Sequence, residues 1–259
     1  AGATAGTSRA ADGTYTETLL CAANVSLVFE GTGTVSVSAI SCKSRSVSAW
    51  ADQSGLGHHL VQATATRQPR FVPSGAGPAD LPYILFDGVD DFLSVADHAD
   101  FDVGNGSWFC LAAMRWVSGA AAYHCHISKT HHAVGNGMGL FHSNTGRMIV
   151  FWGTDVEGYF SPALPTVADG IDYLFGGGHD AVASQVVYRL NAAESRFAGA
   201  SGGTGQNAEP LVIGARSNGT SYVTNFRLYE MVFYKYNAAV VPSASLAMLE
   251  GWWRARYGI

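Results

Sequence analysis

The chain has 259 residues, of which 47% are hydrophobic and only 14% are charged, and its formal net charge is −5. This hydrophobic fraction is typical of a domain with a buried core and argues against intrinsic disorder. The acidic balance excludes the basic surface that binds nucleic acid or anionic membranes. No uncharged run approaches the roughly 18 apolar residues of a membrane-spanning helix. We therefore expect a globular protein that neither binds nucleic acid nor inserts into a membrane.

Apolar and polar residues alternate along most of the chain, most clearly at residues 34–39 (TVSVSA), and this alternation is typical of half-buried β-strands. Clusters of Gly, Asn, Asp, Ser and Pro separate the apolar segments and predict turns. Many short strands at this spacing favour an all-β antiparallel two-sheet sandwich over βαβ units. The predicted strands are residues 14–20, 25–29, 34–39, 83–86, 108–117, 138–141, 148–152, 171–175, 185–190, 211–213 and 225–234.

Residues 1–45 hold too few predicted strands for a stable domain of their own. They are interpreted either as an edge extension of the main sandwich or as the end of an upstream module, and we favour the second. Residues 46–259 then form the main domain. Unpaired edge strands near the N-terminus invite pairing between chains, so a homo-oligomer is a further expectation.

Two local segments carry specific predictions. Residues 176–180 (GGGHD) lie between two predicted strands, and the glycines predict a β-turn there, not a phosphate-binding loop. A short C-terminal helix is predicted to begin after Pro242, with Ser243 or Ser245 as its N-cap, and to end at Gly258. We expect the helix to cover one edge of the sandwich. Its apolar stripe is Leu246, Leu249, Trp253 and Tyr257.

The four cysteines lie at positions 21, 42, 110 and 125, and their spacing fits no zinc pattern of closely spaced pairs. One interpretation is four small buried apolar side chains. The alternative is a disulfide between Cys21 and Cys42 on neighbouring strands.

Three segments together resemble a known family. They are residues 50–59 (WADQSGLGHH) with 62–69, residues 85–93 (LFDGVDDFL), and residues 210–216 (PLVIGAR) with 226–234 and 249–252. In this order they resemble the laminin-G-like domains of the concanavalin A-like lectin/glucanase superfamily, of the type found in bacteriophage tail and virion proteins. The resemblance implies a jelly-roll sandwich with loops at its rim. Residues 13–40 are similar to the last strands of a jelly-roll module that precedes such domains.

The resemblance favours a non-enzymatic module on the virion surface, outside the host cell, as part of a tail, fibre or capsid. Its expected partners are host glycans or neighbouring virion structural proteins. The alternative is a secreted bacterial carbohydrate-binding module attached to a glycoside hydrolase. Hydrolysis by the domain itself is disfavoured, because none of the seven glutamates in the chain has another acid two or four positions further along.

No cofactor is predicted, with Ca²⁺ as the one possible exception. Asp87, Asp90 and Asp91 are the densest acidic group, and either they brace a turn or they help to bind Ca²⁺. Laminin-G relatives often carry calcium at the rim. If calcium binds, the candidate ligands are Asp90, Asp91 and Asp155. Asp52 is interpreted as a turn brace.

The histidines depart from the family pattern. His124 and His126 lie two apart on a predicted strand and so share a face, with His131, His132 and His142 near them in the sequence. Two imidazoles on one face and a third nearby are a possible zinc or nickel site, and ordinary neutral histidines are the alternative.

Aromatic residues divide into predicted core and predicted sugar platform. Trp108, Phe109, Trp116 and Trp253 lie in periodic segments and are predicted core residues. Aromatic faces beside polar side chains in loops can stack on sugar rings. The predicted glycan-binding residues are Trp152, Asp155, Tyr159, His142, Asn144 and Arg147.

Overall fold

The structure is a computed structural model that describes ten segments of the chain. The chain divides into two compact units between Lys43 and Ser44, and the described residues belong to the second unit. The predicted strands at residues 14–20, 25–29 and 34–39, and both interpretations of residues 1–45, lie outside the described residues and stay predictions. The described segments are residues 45–73, 78–104, 106–117, 123–129, 137–153, 159–160, 166–198, 207–216, 219–236 and 242–259.

The described elements are fifteen strands, one α-helix and two short 3₁₀ turns at Ala65–Arg67 and Pro78–Asp80. The strands and the helix are β1 Ala49–Trp50, β2 Leu60–Val61, β3 Arg70–Val72, β4 Tyr83–Asp87, β5 Leu93–Val95, β6 Ser107–Trp116, β7 Tyr123–Lys129, β8 Gly137–Ser143, β9 Met148–Gly153, β10 Tyr159–Phe160, β11 Asp172–Asp180, β12 Gln185–Leu190, β13 Ala193–Ala198, β14 Leu211–Ile213, β15 Asn225–Tyr236 and α1 Ser243–Tyr257.

The strands form two antiparallel sheets. One has eight strands in the order β1-β2-β5-β14-β7-β8-β9-β10, and the other has seven in the order β13-β12-β11-β6-β15-β4-β3. The predicted all-β two-sheet jelly-roll sandwich with a C-terminal helix is confirmed. The strand predictions for β12 and β14 match at both ends, while β13 was missed because its sequence (AESRFA) lacks an apolar run.

The main core lies between the two sheets. Phe86 and Phe226, from neighbouring strands, stack with ring centroids 4.5 Å apart, and both are fully buried together with Phe175. The predicted core positions of the tryptophans at 108, 116 and 253 are confirmed, since each is at most 6% exposed. The thiols of Cys110 and Cys125 are free and buried, whereas Cys21 and Cys42 lie outside the described residues.

The β-turn prediction for residues 176–180 is wrong, because these residues continue strand β11 to Asp180 between β6 and β12. Large neighbours explain the glycines. A Cβ at Gly176 would lie 2.8 Å from Phe109 and Leu111, and one at Gly177 would lie 2.6 Å from Val150. The glycines therefore make room for side chains of other strands.

Helix α1 packs on the outer face of the seven-stranded sheet and not on an edge of the sandwich. Leu246, Trp253 and Tyr257 are buried there against Phe109 and other residues of that face. Gly258 ends the helix in the left-handed conformation, with φ of 66°, as predicted. Among the described residues, no helix is long and apolar enough to cross a membrane.

The N-cap prediction is wrong, because the cap position is Pro242 and Ser243 is the first helical residue. The Ser243 hydroxyl instead donates to Glu194 of β13, at 2.9 Å. Glu250, which is fully buried, accepts two hydrogen bonds from the guanidinium of Arg189, at 2.6 and 3.1 Å. Bidentate pairs of this kind fix geometry strongly, so this ion pair sets the register of the helix on the sheet.

Candidate functional site

The central strand β6 connects two polar ends of the sandwich. At its Trp116 end lies the carboxylate rim, defined as Asp87, Asp90, Asp91 and the turn at residues 143–147. Asp87 lies at this end because it pairs with Asn225, whose neighbour Phe226 pairs with Trp116. The turn lies at the same end because the ring of Trp116 contacts His142, which precedes the turn. At the Ser107 end lies the histidine rim, defined as His58, His98, Asp100 and Lys129.

A tight turn between β8 and β9 presents two of the predicted glycan-binding residues. The Ser143 amide donates to the Arg147 carbonyl at 2.9 Å, and the Gly146 amide donates to the Ser143 carbonyl at 2.8 Å. The side chains of Asn144 and Arg147 are exposed at this turn. Both residues are therefore held on a rigid backbone and are accessible to a ligand.

His142 is not available to a glycan, which corrects its prediction as a binding residue. Its side chain is fully buried between the sheets. Its ring packs edge-on against Trp116, with centroids 4.3 Å apart. Alternation along β8 turns this residue inward, although it stands next to the exposed turn.

The predicted glycan-binding residues are spread along the hairpins of β8, β9 and β10. Trp152 pairs with Met138 near the far end of β9, and Tyr159 pairs with Val150. Because the turn at residues 143–147 lies at the other end of β9, Arg147 and Trp152 are five residue steps apart, or about 17 Å along the strand. Only the backbones of Trp152 and Tyr159 are described, and Asp155 lies outside the described residues, so these three stay predictions.

The acidic cluster of the carboxylate rim braces a turn, as one of the two sequence interpretations predicts. The Asp91 carboxylate accepts the Asp87 amide at 3.0 Å, and the Asp87 carboxylate accepts the Val89 amide at 2.8 Å. Carboxylate oxygens of Asp87, Asp90 and Asp91 nevertheless lie within 4.8 Å of one another. Burial, followed by the negative charge of Asp87, raises the pKa of Asp91 to about 6.

Three histidines form a buried cluster between the sheets: His124, His126 and His142. The ring planes of His126 and His142 are 15° apart, and His126 Nε2 lies 2.6 Å from His142 Nδ1, which is a hydrogen bond. Phe175 and Phe226 pack edge-on against His126. A β-bulge in this strand turns both His126 and Ile127 toward the core.

The three described histidines do not form the predicted zinc or nickel site by themselves, and His131 and His132 lie outside the described residues. Among the described residues, the nitrogens of these three rings do not form a set in which all ligand atoms lie within 4.8 Å of one another. Burial, followed by the charge of His124, lowers the pKa of His126 to about 3, and burial lowers the pKa of His142 well below its usual value. The two imidazoles are therefore neutral core residues.

At the histidine rim the structure gathers residues that the sequence analysis did not combine. His58 Nε2 lies 2.6 Å from the Asp100 carboxylate, and His98 Nδ1 lies 3.2 Å from the same oxygen. The buried ammonium of Lys129 contacts the carboxylates of Asp97 and Asp102 at 2.7 and 2.8 Å. The spacing of His98 and Asp100 was the one feature of the sequence that could have indicated this cluster. No local pattern links them to His58, which lies 40 residues earlier in the chain.

Asp52 supports this rim from the neighbouring loop. Its carboxylate accepts the Ser54 amide at 2.8 Å and the His58 amide at 3.1 Å. These bonds, the first of them foremost, lower the pKa of Asp52 to about 2. The prediction of Asp52 as a turn brace is confirmed.

Comparisons with solved structures find the same fold. The binding domain of Paraclostridial mosquitocidal protein 1 matches with a TM-score of 0.61 and 11% identity, over 78% of this chain and 49% of that chain. Trypanosoma rangeli sialidase in complex with sialic acid matches with a TM-score of 0.54 and 13% identity, over 80% of this chain and 32% of that chain. No protein-family model and no curated protein sequence matches the chain.

The chain thus spans a third to a half of the length of these structures, and at such identities the likeness establishes the fold alone. It supports the β-sandwich that the resemblance implies.

The buried histidine cluster predicts a loss of stability in acid. Folded His126 stays neutral at pH 5, whereas the unfolded chain takes up a proton there as pH falls below about 6.5. The contribution of His126 to stability is therefore present above pH 6.5 and is lost as pH falls. Between pH 7 and pH 5 we expect this residue to lower the free energy of unfolding by about 2 kcal/mol.

Urea unfolding at both pH values measures this difference for the wild type, for His126→Leu and for the exposed control His59→Leu. The His126 variant should show a pH difference smaller by about 2 kcal/mol, and the control should not. An unchanged pH difference in His126→Leu would mean that this histidine is not held neutral in the core.

Proposed function

We propose that the domain is a non-enzymatic binding module that attaches a larger protein to glycans through its carboxylate rim. The observation that carries this proposal is the combination of exposed polar side chains on a rigid turn with three carboxylates at the same end of the sandwich. Asn144 and Arg147 provide hydrogen-bond donors, and the aspartates provide acceptors.

This arrangement suits sugar hydroxyl groups. A hydroxyl both donates and accepts, so an end of the sandwich that carries amide, guanidinium and carboxylate groups offers partners for both roles. The backbone bonds that fix residues 143–147 and the Asp87–Asp91 turn reduce the entropy lost on binding. The guanidinium of Arg147 would also suit an acidic sugar, because arginine pairs with carboxylates in bidentate geometry.

The structural neighbours support this class of function. One is named as the binding domain of a mosquitocidal protein, and another is a sialidase in complex with sialic acid. Acidic and neutral sugars are therefore both first candidates for the ligand.

Calcium binding at the carboxylate rim is part of the proposal. Asp90 and Asp91 are the ligands expected from the sequence, and the structure adds Asp87 within 4.8 Å of both. Asp155 stays a prediction. Oxygen ligands are those that Ca²⁺ prefers. Ca²⁺ would compensate the negative charge of Asp87 that, after burial, raises the pKa of Asp91.

The setting that we propose is the surface of a bacteriophage virion, as part of a tail, fibre or capsid. Support for it comes from the resemblance of the motifs at residues 50–59 and 85–93 to phage-associated laminin-G-like domains. Neighbouring virion proteins would then be further partners, and self-association through N-terminal strands would give a homo-oligomer.

A secreted carbohydrate-binding module of a glycoside hydrolase is the second candidate. The observation that favours it is that the match to the sialidase covers only 32% of that chain, so the same fold occurs as one part of a larger enzyme. Hydrolysis by the domain itself would need paired acids. Asp155 and Glu157 are two residues apart, but both lie outside the described residues, so a reducing-sugar assay on every bound glycan is the appropriate check.

Glycan binding is tested on an array of sialylated and neutral oligosaccharides, followed by calorimetry with the best ligand. We expect the double variant Asn144→Ala/Arg147→Ala to bind at least tenfold more weakly, because hydrogen bonds to charged groups contribute about 1.5–3 kcal/mol. Arg70→Ala, which removes an exposed arginine from β3, is the matched control and should bind normally.

The double variant Trp152→Ala/Tyr159→Ala tests whether the two aromatic residues predicted from the sequence, on β9 and β10, take part in binding. Loss of binding in this variant alone would move the site away from the carboxylate rim. Release of reducing sugar would contradict a non-enzymatic module. Failure to bind any glycan, with copurification of a virion protein, would favour a structural role.

Calcium binding is tested by thermal unfolding with and without Ca²⁺. We expect Ca²⁺ to raise the Tm of the wild type but not of Asp90→Asn/Asp91→Asn, while Asp80→Asn behaves as the wild type.

The raised pKa of Asp91 means that the folded carboxyl keeps its proton up to about pH 6. Stability without Ca²⁺ therefore falls as pH rises from about 4 to 6, and the Ca²⁺ effect should be larger at pH 7.5 than at pH 5. The Ca²⁺ site would be contradicted if Ca²⁺ raised the Tm equally at both pH values. It would also be contradicted if Ca²⁺ raised the Tm of Asp90→Asn/Asp91→Asn as much as that of Asp80→Asn.

A further inference from the structure

We propose that His58, His98 and Asp100 at the histidine rim bind a transition-metal dication, with Zn²⁺ as the best fit. One nitrogen from each imidazole and one carboxylate oxygen all lie within 4.8 Å of one another. The three residues come from two different loops, the one between β1 and β2 and the one between β5 and β6. This cluster is at the opposite end of β6 from the carboxylate rim.

The ring of His58 is held in a position suited to a ligand. Its backbone amide donates to the Asp52 carboxylate at 3.1 Å, and its ring packs against Phe101 with centroids 4.8 Å apart. The side chain is only 15% exposed. Nε2 is thereby directed at the Asp100 carboxylate, at 2.6 Å.

The distances are close to those of a zinc site. Tetrahedral Zn²⁺ with ligand bonds of about 2.0–2.1 Å separates neighbouring ligand atoms by about 3.3 Å. His98 Nδ1 is 3.2 Å from Asp100 Oδ2, whereas His58 Nε2 is at hydrogen-bond distance from it. If the metal replaces the proton shared by His58 and Asp100, their two ligand atoms must move apart by less than about 1 Å. The side chains of His98 and Asp100 are each about half exposed, so they can make this shift.

One existing hydrogen bond competes with the metal. The Asp100 amide donates to His98 Nδ1 at 3.2 Å. A metal at Nδ1 would replace a long, weak hydrogen bond.

The surrounding charges favour a cation. Four carboxylates, those of Asp52, Asp97, Asp100 and Asp102, face two ammonium groups in this region. Lys129 is neutralised by Asp97 and Asp102, and the Lys235 ammonium donates to the Ala99 carbonyl at 2.8 Å. Lys235 also acts electrostatically on Asp100, but two ammonium groups do not balance four carboxylates, so an excess of negative charge remains beside the two imidazoles.

The donor set determines the kind of metal. Imidazole nitrogens suit Zn²⁺ and its neighbours in the first transition series, whereas Ca²⁺ takes six to eight oxygen ligands. Three protein ligands leave a fourth position for water. The bound metal would join two loops whose ligands His58 and Asp100 are 42 residues apart, and so stabilise the histidine rim.

The experiment uses the full chain purified without a polyhistidine tag and stripped with a chelator. Calorimetry with Zn²⁺, and visible ligand-field absorption with Co²⁺, should both show one site per chain. His58→Gln, His98→Gln and Asp100→Asn should each weaken Zn²⁺ binding at least tenfold.

Two control variants distinguish this site from other histidines. His59→Gln changes the adjacent exposed histidine, and His131→Gln/His132→Gln changes the pair that the sequence placed near a possible metal site; both should bind Zn²⁺ as the wild type does. His98 is half exposed, so its variant should fold with an unchanged Tm in the chelated state and should bind glycan normally. Stoichiometric binding that survives His58→Gln and His98→Gln, or the absence of any stoichiometric site, would overturn the proposal.

Discussion

The burial of β6 on both faces is the constraint on which the rest of the structure depends. Alternate residues of this strand enter two different cores. Trp108, Cys110 and Trp116 face the space between the sheets, and Phe109 and Leu111 face the layer that helix α1 covers. The glycines of β11 let this central strand carry its large side chains. Because β6 spans the sandwich, its two ends also determine where the carboxylate rim and the histidine rim lie.

Much of this architecture could be predicted from the sequence, because period-two alternation and continuous apolar runs reflect burial directly. The sequence could not reveal packing between distant elements. Three glycines in a row predicted a turn, yet side chains of neighbouring strands occupy the space beside Gly176 and Gly177, and the backbone of β6 occupies the space beside Gly178. The position of α1 depends on a buried ion pair with Arg189, 61 residues from Glu250, which no local pattern indicates.

The candidate site was predicted less well than the fold, for a physical reason. Residues near one another in the sequence were expected to share a surface, but successive hairpin turns lie at opposite ends of a strand, so Arg147 and Trp152 are separated by the length of β9. His142 lies in β8 and faces the interior, whereas Asn144 is exposed because it belongs to the turn that follows this strand. The converging set of His58, His98 and Asp100 depends on the order of β1, β2 and β5 in the sheet.

The central claim is that a glycan binds to the carboxylate rim of a sandwich that performs no chemistry on it. The most direct measurement is an amide NMR titration of the full chain with the oligosaccharide selected on the array. The account predicts that the largest shift changes fall at residues 87–91 and 143–147, with the ligand recovered intact. Shift changes concentrated near residues 58 and 98–102 or near Trp152, or a cleaved ligand, would contradict it.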